Sequence, residues 1–535
     1  MISKTGHDFD VILVSGEYYD DHPLSPVGIL ARVLDAKNYR VGIIEKPETK
    51  EDFTCLGSPR LCFCVSSGSI DSMLHNYTPL KRRRADTGYK QITKLPDRAV
   101  IYYCNKIKEY FKSTTLVIGG IEASLRRFAH YDYWDNALRR SILLDSRANI
   151  LVYGNGEKQL LDIVHRLANT TDLIGIPGTC ILSRTIDDSM ELLPSYTQVC
   201  TDPVEFCRMQ QAFSNDKNLA QEYTNSYVVQ YRYPTYTFKD LDWIYSLPYT
   251  RKLHPQSPLK MAQFSVVTHR GCIGFCHFCS LALHQGERII SRSEQNILEE
   301  ITRLTEHPQF KGYIDDLGGP SANMYGMDCT SRDHCLHHCI DCQKLDRSHL
   351  KLINLLRKVR MIPGVKKVFV RSGIRYDLAL YNLRYIEELS KYHISGCLKI
   401  APEHFSPKVT ALMHKDNTRF SEFLDFFTKI NAEKKQFLTY YFMIGHPGET
   451  LEDTRYLREM IRKMKLRNVE QFQLFTPTPM TISTCMYWTK LNPFTFEPVD
   501  VVCDYATKKK MKRILLGEPV FATRSSKSRK QQMAK

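Results

Sequence analysis

The strongest chemical signal in the chain is the segment Gly271-Cys272-Ile273-Gly274-Phe275-Cys276-His277-Phe278-Cys279. Its cysteines are separated by three and then two residues, straight after the apolar run FSVVTH at 264–269. Three thiolates on one short loop can bind three corners of an iron–sulfur cube. No fourth cysteine lies in the loop, so one iron would keep an open position, as catalytic metal sites do and closed structural ones do not. Gly271 and Gly274 would let the backbone approach the sulfides. The competing reading is a zinc site completed by His277, His284 or a distant cysteine.

A second group, Cys329, Cys335, Cys339 and Cys342, has His334, His337 and His338 interleaved. Soft thiolates serve zinc and iron–sulfur clusters alike, so this insert suits a second metal, either structural zinc or an auxiliary cluster. These seven are the dense part of 17 cysteines; of the scattered rest, Cys62 and Cys64 read as buried small hydrophobes. The opening MISKTGHDFDVILVS lacks the basic and apolar regions of a secretory signal. Cysteines in a reducing cytoplasm seldom pair, so metal binding explains them better and a cytoplasmic location is expected. A mean hydropathy of -0.34 and the absence of any run of ~18 apolar residues exclude a membrane span. Lys+Arg is 74 against Asp+Glu at 58, a formal charge of +16. That surplus favours anionic partners: nucleic acid, phosphates or the carboxylate of a small ligand. Part of it lies in the C-terminal KKKMKR and RSSKSRKQQMAK stretches, and KRRR at 81–84 reads as a solvated loop.

At ~100–200 residues per domain, 535 residues predict about three domains. Residues 1–195 alternate strand and helix signals, which predicts α/β architecture with a doubly wound parallel sheet. No GxGxxG follows its first strand. Ligands of such sheets sit at the carboxyl ends of the strands, here the loops 16–28, 68–77, 119–124 and 154–157. Residues 196–260 read as a connecting segment. Over 261–490 six strand–helix repeats predict a partial, TIM-like (β/α)6 barrel carrying the Cys-rich insert at 329–342, with active-site residues on the loops after the strands. Residues 491–535 read as a basic tail, disordered beyond about 505.

The CIGFCHFC loop resembles the CxxxCx(aromatic)C loop of radical S-adenosylmethionine (SAM) enzymes, placed after the first barrel strand as in that superfamily. The resemblance implies that Cys272, Cys276 and Cys279 ligate a [4Fe–4S] cluster whose open iron binds the amino and carboxylate groups of SAM. It also implies a one-electron donor such as a flavodoxin or ferredoxin, and a 5′-deoxyadenosyl radical that removes a hydrogen atom from substrate. Phe278 is the loop's aromatic residue. Gly318-Gly319-Pro320 resembles a Gly-Gly-Glu motif near the methionine amino group; with Pro320 in place of Glu, backbone carbonyls, Asp315 or Asp316 must supply that contact. Ser372, Arg375 and Glu403 resemble ribose- and carboxylate-contacting positions, and Gly445 lies in a segment similar to the one along the adenine.

DVILVSGEYYDDHP, VIGGIEASLRRFAHYDYWD, DLGGPSANMY, VRSGIRYDL, LKIAPEH and FTPTPMTISTCMYWT are similar to the YgiQ-type family of radical SAM proteins, from about residue 9 to about 510. The family implies a fold and a cofactor pair; it supplies no substrate and assigns no further catalytic side chain. Within this class the alternative is RNA modification of the methylthiotransferase type, favoured by the charge, although no appended RNA-binding module is evident. Outside it, the alternative is a non-catalytic metal protein that binds nucleic acid. A doubly wound domain ahead of the barrel raises cobalamin, but Asp21-His22 and Gly28 do not have the Asp-x-His-x-x-Gly spacing. Cobalamin is therefore not expected, and His22 reads as a turn residue before Pro23.

Overall fold

A computed structural model of the chain describes residues 1–84, 95–329 and 339–517. Strand β1 (Val11–Ser15) is buried along its whole length, as the centre of a sheet covered on both faces must be. Beside it lie β2 (Val41–Glu45) and β3 (Cys62–Ser66), followed by β4 (Leu116–Ile118) and β5 (Ile150–Val152). All pair in parallel in the order β2-β1-β3-β4-β5. The order reverses between β1 and β3, which opens a crevice at their carboxyl ends. The helix Pro26–Asp35 that crosses from β1 to β2 starts on Ser25, whose side chain accepts from the Gly28 amide, with proline at its first position.

The sheet then departs from the expected pattern. It continues through β6 (Thr179–Ser183), β7 (Glu191–Leu193), β8 (Leu219–Tyr223) and β9 (Ser226–Gln230) in the order β5-β6-β9-β8-β7. With Ile2–Ser3 on the far edge this makes ten strands. β6 is antiparallel to β5 and β9, β8 is antiparallel to β9, and β7 is parallel to β8, so the sheet is wholly parallel in its first half and mixed in its second. Residues 196–260 are therefore not merely a connector, since their hairpin completes the sheet. Its strand period is masked by two polar residues at buried positions. Gln221 Oε1 accepts from the Ala129 amide at 2.8 Å, and Gln230 Oε1 accepts from Arg127 Nε at 2.8 Å.

The barrel strands are β10 (Ser265–Val267), β11 (Asp316–Gly318), β12 (Lys367–Val368), β13 (Cys397–Glu403), β14 (Phe437–Ile444) and β15 (Val469–Leu474). β10 pairs in parallel with β11, Tyr313–Ile314 with β12, and β13 with β14 and then β15. The two halves are joined by Ile374 N donating to Lys399 O at 3.3 Å. Helices cover the outside. Glu294–Thr305 buries Ile297, Ile301 and Leu304 on one helical face, and Leu451–Lys463 opens with a capping box between Thr450 and Asp453.

The C-terminal region is also more ordered than its composition suggests. Tyr505–Leu516 forms a helix whose Met511 and Leu515 pack into the barrel core with Leu457. The lysine run hides an apolar stripe at 511, 514 and 515, and Lys508 is itself buried, donating to Tyr133 Oη at 3.3 Å and Tyr487 Oη at 3.2 Å. Residues from 518 onward lie outside the described residues. Among those described, no helix is long and apolar enough to cross a membrane. Met511 is fully buried, so Met511→Ala is expected to cost about 2–5 kcal/mol in urea unfolding. A change within about 0.5 kcal/mol, the range of surface substitutions, would mean that this helix does not dock.

Candidate active site

The cysteine loop is fastened to several distant elements. Gly271 has φ +87°, and a Cβ there would lie 1.9 Å from Arg288 O, so only glycine fits. Cys272 N donates to Gly286 O at 3.1 Å. Phe275 also adopts a left-handed conformation, φ +48°. His277 N donates to Met413 O and Ser483 N donates to His277 O, both at 3.0 Å. The His277 ring lies 2.9 Å from Leu412 O through Nδ1 and stacks on His414 at a centroid distance of 5.0 Å. His284 Nδ1 lies 3.1 Å from Ser124 Oγ.

The two histidine contacts use Nδ1, as a metal-ligating imidazole also does, and so do not decide between metals. Against zinc, no three His, Cys, Asp or Glu side chains among the described residues surround a position for a single ion. Cys272, Cys276 and Cys279 are half-buried on one loop, and a cube whose corners stand apart fits them better than one ion. Burial pushes the Cys279 thiol up to about 12 and raises that of Cys272. Such thiols give up their protons when a metal compensates the charge. The three cysteines are thus the residues that would hold a [4Fe–4S] cluster.

The residues expected to surround the cofactors fall into two groups. Phe278, Arg375, Glu403 and Gly445 lie on the cluster side. Phe278 packs edge-on against His446, centroids 6.4 Å apart. Arg375 places Nη1 3.7 Å from Cys276 Sγ. Glu403 sits at a bulge between β13 and β14 with φ +65°, an uncommon conformation for a side-chain-bearing residue. Burial raises its carboxyl to about 7, with the Lys415 ammonium pulling the other way. Gly445 N donates to the buried Glu449 carboxylate at 2.5 Å, and Thr454 Oγ1 donates to the same carboxylate at 2.7 Å. Glu449 thus secures the turn that follows β14.

Gly318, Gly319 and Ser372 instead line a cavity of about 480 Å³. A Cβ on Gly319 would lie 2.6 Å from the His269 ring, and one on Gly318 would lie 3.0 Å from Ser372 Oγ. Ser372 Oγ donates to Asp316, which also accepts from the Arg371 amide at 2.7 Å. Asp315 lies 3.4 Å from Arg371 Nη1. Both carboxylates therefore bind β11 to the segment after β12. The opposite wall of the cavity is the first sheet, where all four of its expected ligand loops contribute: Leu24, Gly68, Gly119 and Asn155 are examples.

Cys329, Cys339 and Cys342 are half-buried. Cys339 and Cys342 pack with Cys272 against the buried group that includes Ile273, Met324 and Met327, so the insert lies close to the first cysteine loop. Cys335, His334, His337 and His338 fall outside the described residues.

Several residues to which the sequence assigned no individual role complete the site. Arg270 pairs with Glu157 at 2.8 Å, both buried, which fixes the barrel to the first sheet beside the cavity. Asn323 brackets Arg375 by accepting from its amide at 2.8 Å and donating to its carbonyl at 2.9 Å. Asp377 binds the Arg375 guanidinium through Nε at 3.0 Å. The sequence cues to that last pair are the shared motif VRSGIRYDL and a carboxylate two residues beyond the arginine.

Fold and loop together define a radical SAM protein, and comparison with known proteins agrees. The chain matches the model for the radical SAM N-terminal domain over residues 1–268 and that for the radical SAM superfamily over 266–461. A domain of unknown function, DUF3362, matches 470–517. A UPF0313 protein of Methanocella arvoryzae is 45% identical over 92% of this chain and 87% of its own. One from Methanocaldococcus jannaschii is 44% identical over 95% and 89%. The chain belongs to this UPF0313, or YgiQ-type, family of radical SAM proteins. Among solved structures it resembles the radical SAM methyltransferase TsrM of Kitasatospora setae with cobalamin and a [4Fe–4S] cluster bound, at a TM-score of 0.53 and 15% identity over 88% of this chain and 77% of that one. A second TsrM structure, with tryptophan and a SAM analogue, gives 0.51 at 15% identity over 88% and 75%.

Two outcomes test this geometry. Gly271→Ala is expected to lose most of the iron and sulfide that the wild-type chain retains after anaerobic reconstitution; full retention would show that the loop does not need the left-handed turn. For Glu403, the folded carboxyl holds its proton more tightly than the unfolded one, so its contribution is complete below pH 4.5 and is lost as pH rises through about 7. The apoprotein of Glu403→Gln should therefore lose less stability than wild type across that window, measured by denaturant midpoints. Parallel curves would refute the burial effect.

Proposed function

We propose that this protein is a radical SAM enzyme in which one chamber joins the SAM-cleaving centre to the N-terminal sheet, and that the chamber seats a cobalamin. A [4Fe–4S] cluster held by Cys272, Cys276 and Cys279 would, with SAM and one electron, supply 5′-deoxyadenosyl radical chemistry for hydrogen abstraction from substrate. A flavodoxin- or ferredoxin-like protein is the proposed electron source, and a reducing cytoplasm the proposed setting for a half-buried, thiol-rich centre.

The observation that carries this reading is the shared cavity. Its walls come from the carboxyl ends of β1, β3, β4 and β5 on one side, and from His269, Arg270, Gly318, Gly319 and Ser372 on the other. About 480 Å³ lies within the range of cofactor pockets. Apolar strand ends with glycines at 68, 119, 120, 154 and 156 offer a bare surface to a large flat group. The cobalamin held by TsrM on a similar fold supports the same reading.

The spacing around His22 argued against cobalamin, but the geometry narrows that argument. His22 is buried in its turn, its Nδ1 accepting from the Leu24 amide at 3.1 Å. That keeps a histidine of this loop off the cobalt; it does not close the chamber.

Anaerobically reconstituted chain should contain about four irons per cluster, release 5′-deoxyadenosine when reduced with SAM, and retain hydroxocobalamin through gel filtration. Ser69 is an exposed residue at the cavity wall. Ser69→Trp should lower corrinoid retention about tenfold with the iron content unchanged, and His22→Ala should leave the corrinoid spectrum unaltered. If wild type releases all its corrinoid while still cleaving SAM, the chamber belongs to the substrate alone.

A further inference from the structure

Among the described residues the guanidinium of Arg375 is the cationic group with a hydrogen bond to one of the three loop cysteines, and the fold makes room for it. Nη1 stands 3.7 Å from Cys276 Sγ. It reaches that point by crossing the loop at Gly274, where a Cβ would lie 2.5 Å from Nη1 and 3.4 Å from Cys272 Sγ. Glycine at 274 is thus what admits the arginine between two of the three cysteines. The arginine cannot swing away, because Asn323 brackets its backbone and Asp377 holds its Nε at 3.0 Å. Arg375 and Asp377 are both buried, so their charges act with little solvent screening. Lys415 and Glu403 are the neighbouring charged groups on the β13 side.

We propose that Arg375 sets the reduction potential of the cluster, acting as a fixed N–H···S donor and positive charge whose strength Asp377 trims. The proposal rests on the cluster assignment above. Reduction adds one negative charge to the cubane, and a nearby cation stabilises that charge, so Arg375 favours the reduced state. Asp377 opposes it and reduces the net effect. A residue serving SAM alone would change ligand affinity without moving the potential of the SAM-free cluster.

The test is a potentiometric titration of the reconstituted full chain without SAM, followed by electron paramagnetic resonance. Iron and sulfide counts come first: a chain with no cubane refutes the cluster assignment rather than the role of Arg375. With the cubane present, Arg375→Gln should disfavour reduction about tenfold, a fall of about 59 mV for a one-electron couple. Asp377→Asn, which leaves the arginine uncompensated, should shift the potential upward. Arg375→Lys should recover part of the loss. Opposite signs for the two neutralising variants distinguish an electrostatic device from general loosening, which would move both in the same direction. Unchanged potentials, or two shifts of one sign, would overturn the proposal.

Discussion

The site depends on a single constraint: three half-buried thiols must be held apart on a loop too short to hold itself. Residues 271–279 have no regular secondary structure, so their positions come from outside. Gly286, Met413, Leu412 and Ser483 each take one hydrogen bond from the loop or give one to it. Net bonds of this kind are each worth about 0.5–1.5 kcal/mol. Their value here is chiefly geometric, because they anchor the loop to segments far apart in sequence. The loop is rigid only if the barrel is assembled, and this ties cluster binding to folding.

The second organising feature is the meeting of two sheets at their carboxyl ends. In parallel sheets covered by helices, the residues free of regular pairing collect where strands end and loops begin. The N-terminal sheet and the barrel turn these ends toward each other, and the buried Arg270–Glu157 pair ties them together. A buried ion pair adds little net stability, because desolvation offsets most of its attraction. It does specify orientation. One chamber therefore receives loops from both domains, with Gly318, Gly319 and Ser372 on one wall facing a glycine-rich surface on the other.

Much of this was legible locally. The CxxxCxxC spacing, the strand–helix rhythm and the four ligand loops of the first domain are short-range patterns, since chemistry-bearing loops follow strands and strands announce themselves by apolar runs. Two parts were not. The hairpin 219–230 was hidden because buried Gln221 and Gln230 break the apolar alternation, and only their partners, distant in sequence, make them tolerable. The C-terminal helix was hidden because three consecutive lysines at 508–510 outweigh a stripe of three apolar residues.

Sequence by itself determined the cysteine loop, the order of the first five strands and of the barrel strands, and the class of chemistry, because each is set by residue type and spacing along a few adjacent positions. Tertiary structure decided which candidates act together. It placed Arg375 at the Cys276 sulfur, drew Ser372 and Gly318 to the cavity wall, and turned His277 into a fastener. The reason is that partners such as Asn323 and Arg375, or Glu157 and Arg270, are neighbours only after the strands have packed. No local pattern encodes a distance that the fold itself creates.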